Sequence, residues 1–375
     1  MCIRDSGEAL FLDKFGPLAG KHALAEETVK WILGSLEDKG LLVHTEMYPH
    51  VYPHCWRSGD PLVFRLVDEW YINMDWRDEI KAIVSQIRWI PEWGEERELE
   101  WLTNMRDWMI SKKRYWGLAL PIWVCEECEH FEVLGGKEEL RERSVAGWDE
   151  FEGHSPHRPW IDAVEIECEK CGGRSRRIPD VGNPWLDAGI VTYSTVRYNE
   201  DREYWKRWIP ADLVLECFPG QFRNWFYSLL AMSTMMENIR PYKTLVGHAL
   251  VRDEKGEEMH KSSGNAIWFD DAADTMGADV MRWSFCRSEP TSNRSFGYGV
   301  RRDVRAKFDN TLWNVYSFFV NYARLDEIAP PEEPTPVSER PDFDRWILSR
   351  VQGLIIAARA SYADYSPRTV CLAVE

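Results

Sequence analysis

The chain has 375 residues, of which 44% are hydrophobic and 29% are charged, and its formal net charge is −16. This composition is typical of a soluble globular protein that is long enough for more than one domain. The absence of a run of about 18 apolar residues excludes a membrane-spanning helix, and the acidic balance argues against nonspecific binding of nucleic acid. Because the amino terminus also lacks the pattern of a secretory leader, we expect a cytoplasmic protein without a membrane partner.

The first part of the chain predicts helices separated by loops. Apolar residues recur with helical spacing over residues 22–42, and Gly40 ends that pattern. Residues 61–90 mix a strand with a helix, and a further helix is predicted over residues 97–110. None of these segments carries a candidate site residue.

Two Cys-x-x-Cys pairs follow, one at Cys125 and Cys128 and one at Cys168 and Cys171. Two such pairs can place four thiolates around one Zn²⁺ at about 2.3 Å, and the glycines that follow the second pair allow a tight turn. Since four cysteines leave no open coordination position, the pattern predicts a structural zinc site. A redox pair or four buried thiols is the alternative.

Short apolar runs then alternate with helical segments. The predicted strands are Asp212–Glu216 and Thr244–Val251, and the predicted helices are Asn224–Asn238, Asp270–Met276 and Ala278–Cys286. Strands that alternate with helices indicate a parallel α/β sheet. Further helical patterns, over residues 301–325 and 342–365, flank a proline-rich acidic linker.

The most informative segment follows the second of these strands. After a charged turn at Asp253–Gly256, the chain reads Met259-His260-Lys261-Ser262-Ser263. Lysine carries a compact positive charge on a flexible stem, serine hydroxyls can donate to phosphate oxygens, and nearby glycines allow the backbone to approach closely. The pattern predicts a mobile loop that meets phosphate through Lys261, with a solvated hairpin turn as the alternative.

Residues 258–262 resemble the KMSKS loop of the class I aminoacyl-tRNA synthetases. Glu258 stands at the family's first lysine and His260 at its first serine, whereas Lys261 matches the second lysine. Further segments resemble other signatures of the same family, in the family's order: PHCWRSG (53–59), DWMISKKRYWG (107–117), PDVGNPWLDAG (179–189), PADLVLECFPGQFRNWF (210–226), GADVMRW (277–283) and TLWNVYSFFV (311–320). The resemblance covers nearly all of residues 11–375.

The resemblance implies an α/β fold, namely the second half of a Rossmann-like class I synthetase catalytic domain, followed by an α-helical domain. It implies that residues 1–60 are the carboxyl-terminal remnant of an editing insertion domain. Residues 61–300 would be the second half of the catalytic domain, with a zinc knuckle at 125–171 and the KMSKS-like loop at 258–262. Residues 301–375 would begin a helical domain that contacts the tRNA stem and anticodon.

The implied reaction activates an amino acid with ATP and Mg²⁺ to an aminoacyl-adenylate and transfers it to tRNA. The run at residues 311–320 resembles the isoleucyl branch more than the valyl or leucyl branches, which implies isoleucine, tRNA(Ile) and a monomeric enzyme as the expected system. The resemblance places residues at three sites: Lys261 and Ser262 in catalysis, Lys261, Met259 and Asn265 at ATP, and Glu216, Gln221, Trp225, Trp185 and His248 at the amino acid and adenylate.

Two features of the sequence limit this interpretation. No HIGH-type motif occurs in it, and that motif contacts ATP from the first half of the nucleotide-binding fold, so we expect no activation of isoleucine by these residues alone. A non-catalytic zinc-ribbon module that binds tRNA is the alternative from another class. The four cysteines and the basic residues of Arg174–Arg177 motivate it, but it leaves the Lys261 loop unexplained.

Overall fold

The computed structural model describes residues 9–55, 59–63, 68–329 and 331–375, without the side chains of Pro219 and Ser262. Residues 56–58 of the predicted PHCWRSG turn therefore lie outside the described residues. The chain divides into two compact units. The first comprises the described residues up to Asp78 together with Asn104–Ser194, and the second comprises Glu79–Thr103 and Thr195–Glu375.

The strands are short, and most have two to four residues. In chain order they are β1 (Tyr71–Ile72), β2 (Arg88–Ile90), β3 (Trp108–Met109), β4 (Ser111–Lys112), β5 (Ile122–Cys125), β6 (Phe131–Val133), β7 (Ser144–Ala146), β8 (Glu165–Glu167), β9 (Arg174–Arg177), β10 (Val181–Gly182), β11 (Ala211–Cys217), β12 (Tyr242–His248), β13 (Val251–Arg252) and β14 (Arg294–Ser295).

The helices become longer toward the carboxyl end of the chain. They are α1 (Glu26–Asp38), α2 (Arg77–Val84), α3 (Trp93–Asn104), α4 (Lys137–Arg143), α5 (Trp148–Phe151), α6 (Pro184–Gly189), α7 (Val191–Ser194), α8 (Arg202–Trp208), α9 (Phe218–Gln221), α10 (Trp225–Glu237), α11 (Phe269–Met276), α12 (Ala278–Arg287), α13 (Val300–Val304), α14 (Asn310–Leu325), α15 (Asp342–Ala363) and α16 (Pro367–Val374). A π-helical turn at Arg305–Asp309 joins α13 to α14.

The first unit contains a five-stranded antiparallel sheet in the order β6-β5-β9-β8-β7. Its inner face packs into a core of buried apolar side chains that includes Trp123, Phe151 and Ile166. The Trp123 indole N–H donates to the Val164 carbonyl at 2.9 Å, so its polar atom is satisfied inside the core. Because β5 and β8 both run antiparallel to β9 between them, they point the same way and bring the two Cys-x-x-Cys pairs to one end of the sheet.

The second unit contains a parallel sheet in the order β11-β12-β2. Helix α10 connects β11 to β12 and buries one apolar face, including Phe226, Leu229 and Leu230. The central strand β12 is buried at most of its positions, as expected for a parallel sheet that helices cover. The predicted α/β fold is confirmed.

Two sequence predictions of local structure were wrong at their ends. The helix predicted over residues 97–110 ends at Asn104, and Trp108–Met109 is an extended strand that pairs with Tyr71–Ile72. The strand predicted over Thr244–Val251 ends at His248. In both cases an apolar run continues past the element, because apolar spacing records burial and does not record where the backbone changes its conformation.

Candidate functional site

The two longest parallel strands end side by side at the candidate site. Glu216 on β11 is the register partner of Gly247 on β12, and Cys217 is the partner of His248. Ligands of open α/β sheets bind outside the carboxyl ends of the strands. The structure therefore brings two of the predicted site residues, Glu216 and His248, to the edge of the sheet where a ligand is expected.

The polar groups at this edge are only partly used by the protein. Glu216 is half-buried, and one of its carboxylate oxygens accepts from the Cys217 N–H at 2.8 Å. The Nδ1 of His248 lies 2.8 Å from the Ala249 carbonyl, which assigns the proton of the neutral ring to Nδ1 and leaves a lone pair on Nε2. Burial, and secondarily the Glu216 charge, raise the pKa of the Cys217 thiol.

Gln221 and Trp225 lie at the start of α10. The Gln221 side-chain oxygen accepts from the Trp225 N–H at 3.1 Å, so this amide satisfies one of the helix's first backbone donors. Its NH₂ group is the part of the side chain that can reach a ligand. Trp185 belongs to the first unit, where its N–H donates to Asn183 at 3.0 Å at the start of α6, and the predicted pairing of Trp185 with Trp225 around a side-chain pocket stays a prediction.

An aromatic cluster that the sequence reading did not single out supports this edge from below. Phe218 is buried, and its ring packs against Trp93 with the ring centroids 5.0 Å apart. A Cβ on Gly247 would lie 1.8 Å from the Phe218 ring. Gly247 therefore permits the ring to lie directly on the end of β12. The signal for this contact in the sequence was the glycine inside an apolar strand.

The loop that follows β13 is tied together by Asn265. Its side-chain oxygen accepts from the His260 N–H at 3.0 Å, and its NH₂ donates to Asp253 at 2.9 Å and to the Glu258 carbonyl at 3.0 Å. The bond from Asn265 is also the main reason that the pKa of Asp253 lies below its usual range. Asn265 thus closes the loop in this conformation, and its predicted contact with ATP stays a prediction.

Lys261 is exposed at the tip of that loop, in the 3-10 turn Lys261–Ser263. Its ammonium nitrogen lies 4.6 Å from the centroid of the Trp268 ring, within the range of a cation–π contact. Met259 is half-buried beside the turn, and the side chain of Ser262 lies outside the described part of the chain. The lysine therefore keeps its full charge and faces solvent.

The two residues that depart from the family's loop pattern contact each other. His260 Nε2 lies 3.5 Å from a carboxylate oxygen of Glu258, and both side chains are exposed. A positively charged lysine of the family motif is thus replaced by an acid whose neighbour is a histidine. The net charge of this loop is lower than that of the family motif.

The four predicted zinc ligands meet at the end of the antiparallel sheet. The sulfur atoms of Cys125, Cys128, Cys168 and Cys171 all lie within 4.8 Å of one another. The Cys125–Cys171 sulfur pair is 3.5 Å apart, and the Cys128–Cys168 pair is 3.7 Å apart. Four thiolates at about 2.3 Å from one tetrahedral ion would be about 3.8 Å from each other, so the cluster has the dimensions of a closed four-sulfur site.

The backbone around the cysteines favours thiolates. The N–H groups of Cys128 and Glu127 lower the pKa of Cys125 to about 7. At Cys171 the Gly173 N–H acts in the same direction, but hydrogen bonds shared with Cys128 and Cys125 outweigh it and raise the pKa to about 12. A divalent cation would remove this competition for protons, because it binds all four sulfurs as thiolates.

The basic residues beside this cluster are paired with acids. Arg174 and Arg176 both contact Glu165, at 2.8 Å and 2.9 Å, and Arg176 also lies 3.3 Å from Glu126. The Arg177 guanidinium is buried against Asp162. This patch is therefore largely neutralised, which weakens it as a site for nucleic-acid phosphates.

Residues 21–296 match the family described as tRNA synthetases class I (I, L, M and V). The chain belongs to this family, the class of protein that the parallel sheet and the loop at its edge define. Among curated proteins, the isoleucine–tRNA ligase of Thermus thermophilus is 39% identical over 347 residues, which cover 92% of this chain and 33% of the relative. The isoleucine–tRNA ligase of Methanothermobacter thermautotrophicus is 35% identical over 350 residues, with 92% and 33% covered.

The chain thus spans about a third of the length of the curated relatives it matches. Among solved structures, Mycobacterium tuberculosis methionyl-tRNA synthetase in complex with methionyl-adenylate matches with a TM-score of 0.59 and 17% identity, over 86% of this chain and 53% of that chain. At this identity the likeness concerns the fold alone. Among the described residues, no helix combines the length and the apolar character needed to cross a membrane.

Proposed function

We propose that the chain is the second half of the catalytic domain of an isoleucine–tRNA ligase, which activates isoleucine with ATP and transfers it to tRNA(Ile). The observation that carries this proposal is the convergence of Glu216 and His248 at the carboxyl ends of β11 and β12, directly before the loop that presents Lys261. Identity of 39% and 35% to isoleucine–tRNA ligases supports the choice of isoleucine over valine or leucine.

In the proposed reaction the isoleucine carboxylate attacks the α-phosphorus of ATP, and pyrophosphate leaves. Lys261 neutralises the charge that develops on the leaving pyrophosphate, and Ser262 donates to the same phosphates. Met259 and Asn265 shape the loop at ATP. Mg²⁺ accompanies the nucleotide as a charge partner of its phosphates.

The residues of the sheet edge bind the amino acid and the adenylate. Glu216 pairs with the isoleucine ammonium, the Gln221 NH₂ donates to the adenylate, and His248 Nε2 accepts from the nucleotide ribose. Trp185 and Trp225 form apolar walls of the side-chain pocket. Neither chemical step requires a covalent protein nucleophile, so binding and orientation account for the work of these groups.

We further propose that Cys125, Cys128, Cys168 and Cys171 hold one structural Zn²⁺. The sulfur spacing fits a closed tetrahedral site, and a closed site has no position for substrate. The domain division of residues 1–60, 61–300 and 301–375 belongs to the same proposal, as do a monomeric enzyme and a cytoplasmic location.

The proposal is tested by amino-acid-dependent ATP–pyrophosphate exchange in the full-length protein that carries this segment. We expect isoleucine to support the fastest exchange, and Lys261→Ala to slow it by about 10²- to 10³-fold. Lys255→Ala is the matched control, since Lys255 is an exposed lysine of the neighbouring turn. Faster exchange with valine or leucine would assign another branch of the family.

The non-catalytic zinc-ribbon module makes a different prediction for the same protein. It expects tight tRNA binding without exchange for any amino acid. The salt bridges of Arg174 and Arg176 with Glu165 argue against it. Exchange that depends on Lys261 would exclude it.

A further inference from the structure

We propose that Trp268 is a positioning residue for Lys261, which holds the lysine ammonium at the loop tip in the orientation that meets polyphosphate. This inference rests on the proposed function of Lys261. It starts from the distance of 4.6 Å between the ammonium nitrogen and the centroid of the indole. A cation over the face of tryptophan at this distance is attracted by the negative potential of the ring.

The ring offers the lysine a partner that does not neutralise it. Among the residues that the structure describes, no carboxylate lies within 4.0 Å of the Lys261 ammonium. Glu258, the acid of the same loop, is turned toward His260 at 3.5 Å. The ammonium is therefore held on one side by a neutral surface, while its charge remains available to phosphate on the other side.

The indole stands on a more rigid base than the lysine does. Trp268 immediately precedes α11, which buries Ala272 and Met276 in an apolar core with Val280. The loop between the two residues is closed by the three hydrogen bonds of Asn265. The loop backbone is thus already ordered without a ligand, and the remaining freedom lies in the long Lys261 side chain.

A lysine side chain loses much rotamer freedom when it is held in one place. The contact with Trp268 removes part of that freedom before ATP binds, so less is lost on binding. Because both groups are exposed, the contact belongs to the weak class of cation–π interactions. Such a contact corresponds to about a two- to fivefold change in an equilibrium constant.

The contact itself can be observed in the chain without any activity. Lysines are labelled by reductive methylation with ¹³C-formaldehyde, which preserves the positive charge. We expect one lysine signal to be shifted upfield by the indole ring current, to be absent from Lys261→Arg, and to return to the unshifted range in Trp268→Leu. An unshifted Lys261 signal in the unaltered chain would overturn the contact.

The positioning role is tested by ATP–pyrophosphate exchange in the full-length protein. We expect Trp268→Leu to lower kcat/KM for ATP by about two- to fivefold, with an unchanged KM for isoleucine, and Trp268→Phe to retain most of the activity. Phe269→Leu is the matched control, because Phe269 is the adjacent exposed aromatic residue. In a Lys261→Ala background, Trp268→Leu should have no further effect.

The outcomes separate this inference from the proposed function. An effect of Trp268→Leu that is equally large with and without Lys261 would assign the indole a purely structural role and overturn the inference. Full activity of Trp268→Leu beside a strong loss in Lys261→Ala would also overturn it and would leave the proposed function intact. If Lys261→Ala retains full exchange, the proposed function fails, whatever the result at Trp268.

Discussion

Glu258 and His260, which replace the first lysine and the first serine of the family's loop motif, lie against each other at 3.5 Å. An acid in this loop repels the phosphates that Lys261 attracts. We expect Glu258→Lys to lower the KM for ATP about two- to tenfold, since it exchanges a repulsive charge for an attractive one near a polyphosphate in solvent. Pyrophosphate exchange at low ionic strength measures the effect.

Glu257→Lys controls for this change, because it alters the net charge equally at the next exposed position. An effect of the same size in both variants would show that overall charge, and not position 258, governs ATP binding.

The four-sulfur cluster predicts about one zinc ion per chain. We expect Cys125→Ser together with Cys168→Ser to abolish the bound zinc and to lower the thermal midpoint of the chain, since a structural ion stabilises only the folded arrangement of its ligands. Elemental analysis and thermal unfolding measure the two effects. Cys286→Ser, outside the cluster, should change neither, and undiminished zinc in the double variant would remove the site.

Glu98 on α3 predicts a specific dependence of stability on pH. The residue is fully buried, neither carboxylate oxygen has a hydrogen-bond partner among the described residues, and burial raises its pKa well above the ordinary value of 4.5. The folded state therefore binds a proton that the unfolded state releases above that value. The stabilising contribution is complete below the unfolded pKa and is lost as the pH rises toward the folded pKa.

We expect the free energy of unfolding to fall by up to about 1.4 kcal/mol per pH unit in this range because of Glu98. Glu98→Gln should remove that part of the slope, and urea unfolding at a series of pH values measures it. Glu96→Gln on the exposed side of the same helix is the control. An unchanged slope in Glu98→Gln would contradict the assignment.

Gly247 predicts a steric effect at the sheet edge. A Cβ there would lie 1.8 Å from the buried Phe218 ring, so we expect Gly247→Ala to destabilise the fold by about 1–3 kcal/mol. Chemical denaturation measures the loss. Gly220→Ala serves as the comparison, because its nearest neighbour would be 3.8 Å away, and equal stability of the two variants would contradict the proposed close approach of Phe218.

Local patterns in the sequence were sufficient for the elements and for the residues that chemistry requires in clusters. Alternating apolar runs predicted β11, α10 and β12 to within two residues at each end. The spacing of the four cysteines predicted that their sulfurs would meet, because two short turns on one sheet have little choice of geometry. The loop of Lys261 was recognisable from residue types alone.

Contacts between distant segments required the folded chain. Apolar spacing did not show that Trp108 leaves a helical pattern to pair with Ile72, nor that the basic residues at 174–177 are matched by acids from other strands. The burial of Glu98 and the position of Trp268 over Lys261 were equally hidden. Sequence patterns report how a segment divides between core and solvent, whereas charge pairing and ring contacts depend on which segments the fold places side by side.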